Sequence, residues 1–81
     1  MKAHVYVKLK RTVLDAQGQT VSDALRRMEY RGIRDVRQGK YFLLTLEEGI
    51  DQSAAQSEVE RIAREVLTNP VIEEFTFRIE A

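Results

Sequence analysis

Hydrophobic and polar residues alternate from the start of the chain. In AHVYVKL, residues 3–9, Val5, Val7 and Leu9 fall on one side and His4, Tyr6 and Lys8 on the other, the period of a strand. The period then lengthens. Val21, Ala24, Leu25 and Met28 stand at i, i+3, i+4 and i+7, one apolar stripe on a helix. Thr20, with Asp23 three residues on, is placed to cap that helix, and Gly32 to end it. Between strand and helix, Asp15-Ala16-Gln17-Gly18 has the preferences of a type I turn, aspartate first and glycine fourth. Ile33 to Gln38 reads as a short strand, Gly39 as a turn, and Tyr41 to Glu47 as another strand with apolar residues on both faces. Ser53 and Gln56 form a capping box for a second helix, whose stripe is Ala55, Val59, Ile62, Ala63, Val66 and Leu67. Pro70 keeps Asn69 out of the helical region, so this helix stops by about Thr68. Val71 to Glu80 alternates again, with Phe75, Phe77 and Ile79 opposite Glu74, Thr76, Arg78 and Glu80.

This order predicts an α+β fold: a two-layer βαββαβ arrangement, a four-stranded antiparallel sheet with two helices on one face, in ferredoxin-like order. The pattern leaves open the strand order and an exchange of strands between subunits. Two helices can cover one sheet face only. The other face keeps Tyr6 together with either Tyr41 and Leu43 or Phe42, Leu44 and Leu46. Large exposed apolar patches are uncommon on monomers, so this face is expected to pack on another subunit.

Length sharpens that expectation. Eighty-one residues make one domain, 1–81, which buries only about 60–65% of its unfolded surface and needs a supplement to its core. There is no cysteine and a single histidine, which removes disulfides and leaves no metal site to be built from thiolates and imidazoles. Self-association remains. Thirteen basic residues balance thirteen acidic ones, which argues against a dedicated nucleic-acid binder. No segment approaches the roughly 20 apolar residues of a membrane span, and the N-terminus MKAHVYVKLK lacks a signal-peptide pattern. A soluble, cytoplasmic protein is expected.

Candidate chemistry is sparse. His4 is expected at the surface, without a partner that would make it a general base. Gly18, Gly32 and Gly39 stand singly at element boundaries and form no phosphate loop. Arg26, Arg27 and Arg31 read as an exposed helix face. RQGKYFLLTL is faintly similar to an RNA-binding strand motif but lacks its second glycine and aromatic. No catalytic constellation is legible.

Three blocks carry more information: VLDAQGQTV, VRQGK at 36–40, and LTNPVIEEF at 67–75. In this order and spacing they resemble the signature blocks of the PurS family, the small subunit of phosphoribosylformylglycinamidine synthase where that purine-pathway enzyme is split into three polypeptides. One departure is Ala16, where the family usually has proline. The resemblance implies a non-catalytic subunit, active as a dimer with a tetramer left open. It would bridge a large ligase subunit and a glutaminase subunit and help contain the ammonia passed between them. It implies no cofactor on this subunit alone; ATP, Mg and glutamine are used by the assembled complex. The matched residues Asp15, Gln17, Gly18, Arg37, Gly39, Lys40, Asn69 and Pro70 are the candidate partner contacts. Of these, Asp15, Gly18, Gly39 and Pro70 are equally well explained by turn geometry. The alternative is an ACT-like module that binds an amino acid at a glycine-centred loop between the first strand and helix, where Gly18 is a partial fit.

Overall fold

A computed structural model describes residues 1–81. β1 (Lys2–Leu9) leads to α1 (Ala16–Arg27), then β2 (Gly39–Thr45), α2 (Gln52–Ile62) continued by a π-helical turn (Ala63–Leu67), and β3 (Glu73–Glu80). The sheet is antiparallel in the order β2-β1-β3. β1 sits at its centre because its alternation is the most apolar. Ala3, Val5 and Val7 are buried on one side, with Val5 opposite Phe42 on β2 and Phe77 on β3. α2 and the π-helical turn after it lay Val59 and Ala63 on that side, and Phe42, Leu44, Phe75, Phe77 and Ile79 pack around them. The expected grouping of Phe75, Phe77 and Ile79 on one face holds. The open face therefore carries Tyr6, Tyr41 and Leu43, the first of the two sets the alternation allowed.

The sheet has three strands within this chain, not four. Ile33 to Gln38 joins no ladder. A strand exists only where a neighbour satisfies its backbone groups, and the hairpin that would supply one is missing: Gly39 opens β2 opposite Lys8 instead of turning the chain back. A Cβ at Gly39 would run into the carbonyl of Val7, so glycine serves close strand approach there.

The helix boundaries also shift. Asp15 is the N-cap of α1, accepting from the Gly18 N–H, so Ala16 to Gly18 are its first turn and not a separate loop. Thr20 lies inside the helix, its hydroxyl donating to the Ala16 carbonyl. α1 closes at Met28, and Glu29, not Gly32, takes the left-handed conformation (φ 68°). Asp51, not Ser53, caps α2 through the Ala54 N–H. Thr68 has left the helical region (φ −119°, ψ 137°), one residue ahead of the Asn69 that Pro70 restricts.

Only one helix covers the sheet. α2 packs on β3, whereas α1 has no comparable packing against any strand. The molecule measures 51 × 26 × 13 Å with a radius of gyration of 16.1 Å, against about 12 Å for a compact chain of this length. α1 and the segment after it form an arm that leaves the end of the sheet.

Candidate functional site

The base of that arm brings the three sequence blocks together. The Asp15 carboxylate accepts from the backbone N–H of Gly18 (2.8 Å) and, with its other oxygen, from that of Gln38 (2.7 Å). Arg37 lies 4.0 Å from the same carboxylate and donates to the carbonyls of Lys10 and Val13. Gln38 donates through its side chain to the Gln17 amide oxygen. Lys10 reaches across to the Pro70 carbonyl (2.8 Å), and its N–H donates to the Ile72 carbonyl. Glu73 accepts from the Asn69 N–H (2.8 Å) and pairs with Lys40 (3.4 Å). Asn69 also closes an Asx turn onto the Val71 N–H.

All eight candidate residues thus meet at this joint or border it. Asp15, Gln17, Gly39, Lys40 and Glu73 line a cavity of about 160 Å³ there. Gly18 is held tightly: a Cβ on it would stand 2.5 Å from the Val36 carbonyl oxygen. That packing, inside a helix, leaves no glycine-centred loop of the kind an amino-acid-binding module would use. Pro70 contributes its carbonyl and stops the helix.

The electrostatics follow from the donors. The N–H groups of Gly18 and then Gln38, with the Arg37 guanidinium, hold the Asp15 carboxyl below its ordinary value against partial desolvation. Glu73 is lowered in the same way, by the Asn69 N–H first and by Lys40. Both carboxylates spend their oxygens on backbone donors and cations. Such an arrangement fixes three chain segments relative to one another. It presents no nucleophile hydrogen-bonded to a base. No three His, Asp or Glu side chains converge as metal ligands.

Lys10, Gln38 and Glu73 belong to the joint but were not among the candidates. For Glu73 a signal existed: its place four residues after an Asn-Pro step lets its carboxylate cap the turn. Nothing in the pattern marks Lys10 or Gln38, whose roles depend on contacts 60 and 23 residues away.

Next to the joint, the open sheet face carries a second polar cluster. His4, expected at the surface, is 9% exposed. Its Nδ1 lies 2.6 Å from the Tyr41 hydroxyl and its Nε2 3.4 Å from Glu80. It is buried because β1 is the central strand and flanking side chains fold over it. Tyr6 stacks on Tyr41 with centroids 5.3 Å apart. No helix of the chain is long and apolar enough to cross a membrane.

Comparison with known proteins places this architecture. A family model described as PurS, phosphoribosylformylglycinamidine (FGAM) synthase, matches residues 2–81. The phosphoribosylformylglycinamidine synthase subunit PurS of Mycobacterium leprae is 42% identical over 80 residues, covering 99% of this chain and 96% of its own. The crystal structure of Methanocaldococcus jannaschii PurS is one of the subunits of formylglycinamide ribonucleotide amidotransferase in the purine biosynthetic pathway. It superposes with a TM-score of 0.85 at 32% identity, over 98% of this chain and 94% of that one. A chain in the structure of PurLQS from Thermotoga maritima gives a TM-score of 0.86 at 30% identity, over 95% and 93%.

Proposed function

Because the chain belongs to the PurS family of phosphoribosylformylglycinamidine synthase subunits, we propose that it serves purine biosynthesis as the non-catalytic small subunit of that synthase. In this role it bridges the large ligase subunit and the glutaminase subunit and helps contain ammonia on its way between them. The observation that carries the reading is the match of essentially the whole chain, 2–81, to the family. The signature residues build a joint that fixes three chain segments relative to one another. Containment has a chemical reason: free ammonia is protonated in neutral water, and ammonium is not a nucleophile.

The subunit works in the cytoplasm as a dimer and holds no cofactor; ATP, Mg and glutamine are handled by its partners. The fourth strand is completed by exchange of Ile33 to Gln38 between protomers. Two features support this: β2 and β3 both have a free edge, and no hairpin turns that segment back on its own sheet. The Asp15, Arg37, Lys40 and Asn69 joint sets the angle at which the partner-facing arm is presented. Gln17, Arg37 and Lys40 are exposed and are placed to touch a partner.

Reconstitution tests the proposal. The chain is mixed with the ligase and glutaminase subunits of the same organism, and glutamine-dependent amidine formation is measured with and without it, alongside co-elution on a sizing column. Activity that requires the chain, in a co-eluting complex, is expected. Full activity without it, and no complex, would overturn the bridging role.

A further inference from the structure

A basic hollow of about 490 Å³ opens beside the joint, lined by Lys8, Leu9, Arg11, Asp35 and Arg37. Chain geometry gathers these residues. Lys8 and Leu9 end β1, Arg11 follows in the turn, and the segment that returns from α1 brings Asp35 and Arg37 back alongside them. The hollow shares Lys8 and Leu9 with the joint's own cavity, so whatever occupies it bears on the setting of the arm. An exchange of Ile33 to Gln38 between protomers would engage backbone groups. Asp35 and Arg37, two residues apart, would keep their side chains on one face of that strand.

From α2 to β3 each arginine has a carboxylate partner: Arg61 with Glu65, Arg64 with Glu60 and Arg78 with Glu80. At the hollow the cations exceed the carboxylates. Arg11 is exposed and meets no carboxylate of its own chain. Lys8 has Glu74 at 3.7 Å, an exposed pair that a competing carboxylate can exchange. Arg37 is held firmly. Its Nη2 donates to the carbonyls of Lys10 (3.1 Å) and Val13 (3.2 Å), and its Nε faces Asp15 at 4.0 Å. These contacts leave Nη1 without an acceptor in the chain. A guanidinium locked in this way gives up little freedom when it binds a carboxylate.

The one carboxylate in the lining, Asp35, bears on the class of occupant. A phosphate dianion would face a like charge there. A nucleic acid would need a wider positive field than this neutral chain has. A protein segment can carry both signs, with carboxylates against Lys8, Arg11 and Arg37 and a cation against Asp35. We propose that the hollow docks such an acidic segment, one basic side chain among its carboxylates, from a subunit that this chain bridges. The inference rests on the bridging role above and names a surface through which it is exercised.

The test titrates the full chain into the ligase and glutaminase subunits of the same organism and reads assembly as glutamine-dependent activity. Arg11→Glu should raise the concentration for half-maximal activity by about tenfold, since it turns attraction into repulsion. Its melting midpoint should match the parent's, because Arg11 has no partner to lose. Arg11→Lys should recover most of the affinity. Asp35→Asn should weaken assembly by about threefold, the scale of one exposed ion pair. Cross-linking with a carbodiimide needs no variant: Lys8 should join to an aspartate or glutamate of a partner subunit, located by mass spectrometry. That link should fade as sodium chloride screens the contact. A parent that assembles while Arg11→Glu and Asp35→Asn assemble equally well, with Lys8 linked to its own Glu74 alone, would overturn the docking and leave the bridging role standing. Tighter assembly by Asp35→Asn, or displacement of the parent from the complex by inorganic phosphate, would show a purely anionic occupant and overturn the proposed segment. A parent that binds neither subunit would remove the bridging role and the docking with it.

Discussion

The Asp15 carboxylate accepts the backbone N–H of Gln38 at 2.7 Å, tying the N-cap of α1 to the residue before β2 across 23 positions of sequence. Its other oxygen caps the helix through Gly18. One side chain thus starts the arm and anchors its return, which makes it the centre of the joint.

That geometry gives a pH dependence with a definite sign. The folded Asp15 carboxyl titrates below its ordinary value of 3.8, so its contribution to stability is complete above that value and is lost as the pH falls through the folded one. Asp15→Asn replaces one acceptor oxygen with an NH₂ facing a backbone N–H. Its melting midpoint should lie several degrees below the parent at pH 7. The gap should narrow as the pH falls below 3.8 and through the lower folded value, where the parent's carboxyl also becomes neutral. A gap that stays constant over this range would show that the carboxylate charge is not what holds the joint.

Gly18 offers a test in which helix propensity and packing oppose each other. Within a helix, Gly→Ala gains about 1 kcal/mol. Here the new Cβ would stand 2.5 Å from the Val36 carbonyl oxygen and 2.6 Å from the Asp15 carboxylate. Overpacking of this kind costs about 1–3 kcal/mol, and the cost falls on the joint itself. Gly18→Ala should therefore lower the urea midpoint. Gly32→Ala, where a Cβ would meet nothing within 4 Å, should be neutral or stabilising by up to about 1 kcal/mol. Equal effects of the two substitutions would contradict the close approach at Val36.

How far these features were legible in the sequence depends on the range of the interaction behind each. β1, β3, both helices and the stop at Thr68 follow from periodicity and from Pro70, which act within a few residues. The start of α1 was misplaced for a physical reason: an aspartate bonded to the N–H three residues later is common to a type I turn and to a helix N-cap. Asp15-Ala16-Gln17-Gly18 fits both until the following residues are seen to continue the helix. Ser53 and Asp51 pose the same ambiguity at α2. The expected strand at Ile33 to Gln38 failed because a strand is a property of a pair, and its pairing depended on a turn at Gly39 that does not form. The site was legible as three blocks but not as a joint, since Lys10 and Gln38 act across long sequence separations.

Ala16 tests the revised helix start. It is the first helical residue after the Asp15 cap, where proline is favoured because its fixed φ suits the position and the N–H there has no helical partner. Asp15 already lies outside the helical region (φ −102°, ψ 87°), which a following proline disfavours. Ala16→Pro should be neutral or stabilising by about 0.4–1 kcal/mol through a less flexible unfolded chain. A clear loss in thermal or urea midpoint would mean that residue 16 is not the first residue of the helix.

The core of a single chain is thin. Eleven of 81 residues are buried, and only six of these are apolar: Ala3, Val5, Val7, Ala55, Val59 and Ala63. The largest of them is valine, so each contributes little burial. The larger side chains Phe42, Leu44, Phe75 and Phe77 are only partly covered, while Leu14, Val21, Met28 and Tyr30 are exposed. A single copy of such a chain lacks the buried apolar area that usually supports a stable domain. If a second copy supplies it, folding and association are one equilibrium, and stability depends on protein concentration. A hundredfold increase then contributes about 2.7 kcal/mol per mole of dimer, so the melting midpoint should rise by roughly 5–10 °C. A midpoint that does not move between micromolar and hundreds of micromolar protein would show that one chain suffices for its own fold. In that case α1 must find its cover within the same molecule.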